Sequence, residues 1–194
     1  MGHTNVVTIL LELARDTIDV NRSTLEHCTP LLMACAEGHT DVVGVLLDKA
    51  QDTIDVNQGT PLFTACRNGD TKLVALLLDK ARDTIDVNRT EVGGTPLCVA
   101  CALGHTPVVS LLLDNAGDRI DVNKAGTNTG STPLLLACEN GHLEIVLILL
   151  DKARHSLDVN RPRTSDGKTP LLLARRNGHS EVVSALQSVL SIKA

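Results

Sequence analysis

Thr132-Pro133-Leu134-Leu135-Leu136-Ala137-Cys138-Glu139-Asn140-Gly141-His142-Leu143-Glu144-Ile145-Val146 reads as two short helices joined at a glycine. Threonine before proline is a helix start, because the hydroxyl can satisfy a free backbone N–H and proline suits the first helical position. Leu134 to Cys138 form the apolar body of the first helix. Gly141 ends it, since a left-handed turn costs glycine nothing. The second helix follows at once. Glu144 puts negative charge at its positive end, and Ile145, Val146, Leu149 and Leu150 fall at helical spacing. Val42, Val43, Leu46 and Leu47 repeat that face behind Asp41, and Thr40 and Ser180 are the expected caps of their second helices. Ile54-Asp55-Val56 then alternates like a short extended stretch, and a polar loop leads to the next Thr-Pro.

The same markers recur along the whole chain. Thr-Pro-Leu begins at Thr29, Thr60, Thr95, Thr132 and Thr169, at spacings of 31, 35, 37 and 37 residues. A glycine follows each one: Gly38, Gly69, Gly104, Gly141 and Gly178. Asp-Val-Asn begins at Asp19, Asp55, Asp86, Asp121 and Asp158. Three markers in one fixed order describe a repeat array in which each unit is one supersecondary element stacked on the next.

Helix, glycine turn, helix and extended loop together resemble the ankyrin repeat. That family's pattern is Thr-Pro-Leu-His-x-Ala, then Gly-His and a Val/Leu-rich helix, with a period of about 33 residues. Thr169-Pro170-Leu171-Leu172-Leu173-Ala174, Gly178-His179 and Glu181-Val182-Val183 carry the likeness. It implies an all-α solenoid of helix-turn-helix units with projecting β-hairpin or loop fingers. On this reading residues 1–194 form one ankyrin-repeat domain. Residues 1–21 are a partial repeat lacking its first helix, and full repeats start near 29, 60, 95, 132 and 169.

The departures from the family pattern carry expectations of their own. The histidine of Thr-Pro-Leu-His is replaced by Leu32, Phe63, Cys98, Leu135 and Leu172, so apolar packing is expected where that histidine would bond. Seven residues, Asp79 to Ile85 for example, separate the second helix from Asp-Val-Asn. Three of them are additional, enough to lengthen a helix by about 4.5 Å. Only Gln58 and Gly59 separate Asn57 from Thr60, which predicts a missing finger and a notch in the row. Gly2-His3 aligns with the middle of a repeat, so Val7 and Leu11 are expected to be exposed and the chain to be a fragment of something longer. Arg175 stands in a slot held by cysteine elsewhere, as the polar face of a terminal cap would.

Composition narrows the classes. Of 194 residues, 43% are hydrophobic and 21% charged, which excludes a disordered chain. The longest aliphatic run, Ile145 to Leu150, is far below the roughly 20 residues that span a bilayer, and no signal peptide is visible. A net charge of -5 with scattered basic residues argues against nucleic acid. Cys35, Cys66, Cys101 and Cys138 each follow an alanine. Neighbouring units lie roughly 10 Å apart, whereas a disulfide needs Cα atoms within about 7 Å. The expectation is therefore buried thiols in a reducing, cytoplasmic compartment.

No catalytic constellation stands outside the repeated slots. Cys98, Cys101 and His105 have a metal-like spacing, but each falls in a repeat position and no fourth ligand is evident. Cys28 beside His27 is an isolated thiol, expected to be a bystander. No enzyme activity, metal or cofactor is therefore expected. The resemblance also raises hydroxylation of Asn21, Asn57, Asn88, Asn123 and Asn160 by an oxygen-dependent asparaginyl hydroxylase. Substrates of that reaction usually carry leucine eight residues earlier, where Lys49, Lys80, Asn115 and Lys152 precede the last four. The expectation is an unmodified asparagine that stabilises the turn into the loop.

The function expected is a protein-interaction module, a monomer that binds another protein or peptide through a concave face of first helices and fingers. The residue pairs before each glycine vary while the framework does not: Ala36 and Glu37, Arg67 and Asn68, Ala102 and Leu103, Glu139 and Asn140, Arg176 and Asn177. Glu26, His27, Arg89, Glu91, Lys124, Asn128, Arg163 and Asp166 are the finger candidates. The chain has one Phe and neither Tyr nor Trp. Interface hot spots are rich in Trp, Tyr and Arg, so the contact is expected to be polar and salt-sensitive. The exposed partial repeat offers a second contact area. The alternative is a structural spacer of a larger scaffold, effector or channel, or an engineered array, with no ligand of its own.

Overall fold

The computed structural model describes residues 3–14, 17–25, 28–126 and 128–192. Eleven α-helices run through them: α1 Thr4–Leu13, α2 Pro30–Ala36, α3 Thr40–Lys49, α4 Pro61–Asn68, α5 Thr71–Lys80, α6 Pro96–Leu103, α7 Thr106–Ala116, α8 Pro133–Asn140, α9 Leu143–Lys152, α10 Pro170–Arg176 and α11 Ser180–Ile192. Helices α2, α4, α6, α8 and α10 stack on one another as one layer. Helices α1, α3, α5, α7, α9 and α11 stack as the second. Each helix of one layer packs against the next helix in the chain, so the core is a thin continuous sheet of Leu, Val, Ile, Ala and Cys between the layers. The single aromatic, Phe63, is buried in α4.

The Thr-Pro starts cap their helices with one exception. The hydroxyls of Thr29, Thr95, Thr132 and Thr169 accept from the N–H of Leu32, Cys98, Leu135 and Leu172 at 3.1–3.3 Å. Thr60 does not: the two-residue loop forces it to φ 57°, ψ 56°, and its hydroxyl donates to the Gly59 carbonyl instead. It is the only residue other than glycine with positive φ among those described, a conformation that L side chains disfavour. Thr132→Ala is accordingly expected to cost about 1 kcal/mol in urea unfolding. Thr60→Ala, which has no cap to lose, is expected to stay within about 0.5 kcal/mol of wild type.

Three expectations from sequence are revised, and one that left two forms open is narrowed. First, Thr40 and Ser180 are the opening residues of α3 and α11 rather than caps. The residue before α3, α5, α7 and α9 is His39, Asp70, His105 or His142, and of these only Asp70 caps with its side chain, accepting from Leu73 N–H at 3.0 Å. Second, the additional residues do not lengthen the second helices, since α3, α5 and α9 all stop at ten residues. A buried alanine follows each helix, and its carbonyl accepts from two later amides: Thr53 and Ile54 on Ala50, Thr84 and Ile85 on Ala81, Ser156 and Leu157 on Ala153. The extra residues form that turn, because Asp, Thr and Ser favour turns over helix interior. Third, of the two finger forms left open, β-hairpin or loop, the described residues show no hairpin. The nearest approach is one isolated bridge between Glu91 and Gly94, so the fingers are loops. Fourth, Leu11 is buried and Val7 partly buried, whereas Val6, Ile9, Leu10 and Leu13 of α1 are exposed. Leu11 lies on the side of α1 that stacks on α3.

The cysteines of the repeated slot are buried and unpaired. Burial pushes the Cys35 and Cys138 thiols up to about 12, with the Asp70 carboxylate adding to the effect at Cys35. Burial raises Cys66 and Cys101 as well. All four remain protonated at neutral pH, the inert form of a thiol.

Candidate interaction face

On α2, α6 and α8 the side of the first helix turned away from the second helices is built from positions four and eight residues after the starting threonine, but the nearer position is buried on α4, α6 and α10, as Thr64, Val99 and Leu173. Residues four apart share one face of a helix. Met33 and Glu37 occupy it on α2, Val99 and Leu103 on α6, and Leu136 and Asn140 on α8. Met33 is 48% exposed and Leu103 51%. The loops bordering this layer add Leu25 and Val92, 101% and 80% exposed. Leu103 was nominated from sequence, but Met33, Leu25 and Val92 were not.

The nominated residues divide into two groups. Glu37, Arg67, Leu103, Arg89 and Arg176 are exposed, and their side chains make no hydrogen bond or ion pair among the described residues. Asn128 is also exposed, and Asp166 holds Lys168, whose ammonium lowers the Asp166 carboxyl below the usual carboxylate range. Others are committed inside the chain. Arg163 is nearly buried and pairs with Glu139, so a finger candidate and a helix candidate satisfy each other. Asn68 donates to the Ala36 carbonyl at 3.3 Å and Asn177 to the Glu139 carbonyl at 2.6 Å. Asn140 turns back to Leu136. Glu91 and Lys124 are half-buried, and the Lys124 carbonyl lies 3.4 Å from the Cys98 thiol. Cys98 thus stands in the slot of the missing family histidine and makes a polar contact there, not the apolar one expected. Glu26 and His27 lie outside the described residues.

Three ladders running between repeats hold this face in register. His105, His142 and His179 each donate Nε2–H to a carbonyl of the preceding repeat, those of Arg67, Ala102 and Glu139, at 3.0–3.2 Å. Their rings fill the space where Gly69, Gly104 and Gly141 lack a side chain; a Cβ there would lie 2.5–2.8 Å from a ring atom. The second ladder belongs to Asp-Val-Asn. Each aspartate folds the turn by accepting from the asparagine N–H. Asn21, Asn57, Asn88 and Asn123 instead reach into the next repeat. Asn123, for example, donates to the Ser156 carbonyl at 2.6 Å and accepts from Asp158 N–H at 2.8 Å. The aspartate, not the asparagine, therefore makes the turn. Third, Lys49, Lys80 and Lys152 pair with Glu12, Asp48 and Asp114 of the preceding repeat along the second-helix layer.

The metal-like trio serves these same contacts. His105 sits on Gly69 and the Arg67 carbonyl, Cys98 faces Lys124, and Cys101 is fully buried. At the α1 end a cleft of about 500 Å³ is lined by Val7, Leu10, Leu11, Ile18, Val20 and Leu46 among others. No helix is long and apolar enough to cross a membrane among the described residues.

A family description, Ankyrin repeats (3 copies), matches residues 50–126, 85–162 and 116–192, and a second, Ankyrin repeat, matches residues 26–59. No curated protein matches the chain.

Proposed function

Because the chain belongs to the ankyrin-repeat family, we propose that it is a non-catalytic interaction module that binds one protein or peptide across the first helices and loops. Ankyrin repeats are generally protein–protein interaction modules. The observation that carries the reading here is the distribution of exposed apolar side chains. Among the described residues beyond the α1 end, exposed Leu25, Met33, Val92, Leu103 and Leu172 lie on first helices or their loops, and Leu147 lies on a second helix. Apolar side chains left in water on one face favour association. Glu37, Arg67, Arg89 and Arg176 are exposed on the same helices and loops, so the contact would combine apolar side chains with salt-sensitive charges. The cleft beside α1 offers a second contact area, and the protonated buried thiols suit a reducing intracellular compartment.

Two variants test this. Met33→Asp, Val92→Asp and Leu103→Asp together alter the proposed face, while Leu147→Asp alters the opposite layer by the same chemistry. Proteins retained by the immobilised wild-type chain are expected to be lost, at least about tenfold, from the face variant and kept by the other. They are also expected to weaken as salt rises. Equal retention by both variants would favour a structural spacer without a ligand of its own.

A further inference from the structure

We propose that the seam between α2 and α4 opens on its own, pivoting on the second-helix layer, while the seams between α4, α6, α8 and α10 stay closed. Three observations meet at this seam. First, the histidine ladder is broken here. Asp70 stands where His105, His142 and His179 stand in later repeats, and its carboxylate turns back to cap α5. The space over Gly38 holds only that carboxylate oxygen, 3.8 Å away, where the later glycines each have an imidazole packed against them. At these turns, Asn68 to the Ala36 carbonyl at 3.3 Å is the hydrogen bond that crosses.

Second, among the described residues no backbone hydrogen bond joins the loops across this seam. Downstream loops hold one another: Ser165 N–H and the Thr164 hydroxyl both donate to the Thr129 carbonyl, and Gly94 and Gly126 lie in backbone contact. The backbone bonds of the short loop from Asn57 to Thr60 stay within its own segment, Gln58 to Asp55 and Thr60 to Asn57, and its contact with α2 is the packing of Gly59 on the Leu32 side chain. Third, the backbone at the seam is strained, with Thr60 in the left-handed region. Strain of this kind persists only while its surroundings hold it and is released when they part. The opposite layer is tied as elsewhere: Asn57 bonds Thr84 and Asp86, and Lys80 pairs with Asp48. Those ties supply the pivot. Subglobal openings of this sort are common and are drawn from the least-tied part of a fold.

The chain carries its own reporters, since Cys35, Cys66, Cys101 and Cys138 are buried at one equivalent position in successive first helices. Pulsed labelling of the native chain with a small alkylating reagent, read by peptide mass spectrometry, compares the four within one molecule. Cys35 is expected to label at least about tenfold faster than Cys101, and amides of α3 are expected to stay protected against hydrogen exchange meanwhile. Thr60→Gly, which relieves the strain, and Asp70→His, which restores the imidazole, are each expected to slow Cys35 and leave Cys101 unchanged. His142→Ala is expected to speed Cys101. Equal labelling of Cys35 and Cys101 overturns the proposal. So does α3 exchange that keeps pace with Cys35, because the whole end would then be unfolding. Cys35 labelling unmoved by both closing variants overturns it as well.

Discussion

Gly141→Ala is expected to lose about 3–4 kcal/mol of unfolding free energy, a large part of the stability of a domain this size. Two costs add. Gly141 has φ +74°, and an alanine in the left-handed region costs about 1–2 kcal/mol. The new Cβ would also stand 2.5 Å from Nδ1 of His179, so the ring must leave. With it goes the bond from Nε2 to the Glu139 carbonyl at 3.0 Å, worth about 1 kcal/mol, together with ring packing. Gly178→Ala is the control. It has φ +77° and nothing within 4 Å of the added atom, so only the same conformational cost of about 1–2 kcal/mol is expected. Urea unfolding of the two variants beside wild type measures the difference. If they lose the same amount, the imidazole contact contributes nothing to the stack.

The second large effect is expected at Asn123. Its amide closes a two-bond bridge to main-chain atoms of the next repeat, 2.6 Å to the Ser156 carbonyl and 2.8 Å from Asp158 N–H. Asn123→Ala removes both partners at once and leaves a carbonyl and an amide unpaired at a tightly packed junction. About 2 kcal/mol is expected, moderated because water reaches the site. Asn160 occupies the same slot one repeat later, but its side chain is exposed and makes no hydrogen bond among the described residues. Asn160→Ala is therefore expected to change stability by less than about 0.5 kcal/mol. A comparable loss in both would assign the asparagine a role in its own turn and not in the junction.

These two residues also mark how far the sequence could be read. Glycine at a helix end and Asp-Val-Asn after an apolar helix were legible because their causes are local: a backbone conformation, a capping hydroxyl, an apolar face at helical spacing. Two helices per repeat and buried cysteines follow from those signals. What His142 or Asn123 touches was not legible, because the partner is a main-chain atom 33 to 40 residues away and main-chain atoms leave no mark on residue identity. The same limit applied to the candidate face. Arg163 and Glu139 looked like free charges in separate elements, yet they face each other across a loop. Met33 was hidden inside an apolar run where nothing local distinguishes an outward position from an inward one. The notch was half legible: two residues between Asn57 and Thr60 predict a missing finger, but not that the shortage twists Thr60 out of its cap.

The asparagine ladder has a consequence for how such a chain can change in length. Each rung joins one amide side chain to a carbonyl and an N–H that any residue supplies, in a turn that every complete unit repeats. The joint does not read the identity of its neighbour. Removing the segment from Arg89 to Asn123 would leave Asn88 facing the Ser156–Asp158 turn in place of the Arg119–Asp121 turn, with the same two atoms to bind. Units joined this way can be duplicated, deleted or reordered without redesigning the splice, and the surface they present can be recombined one unit at a time.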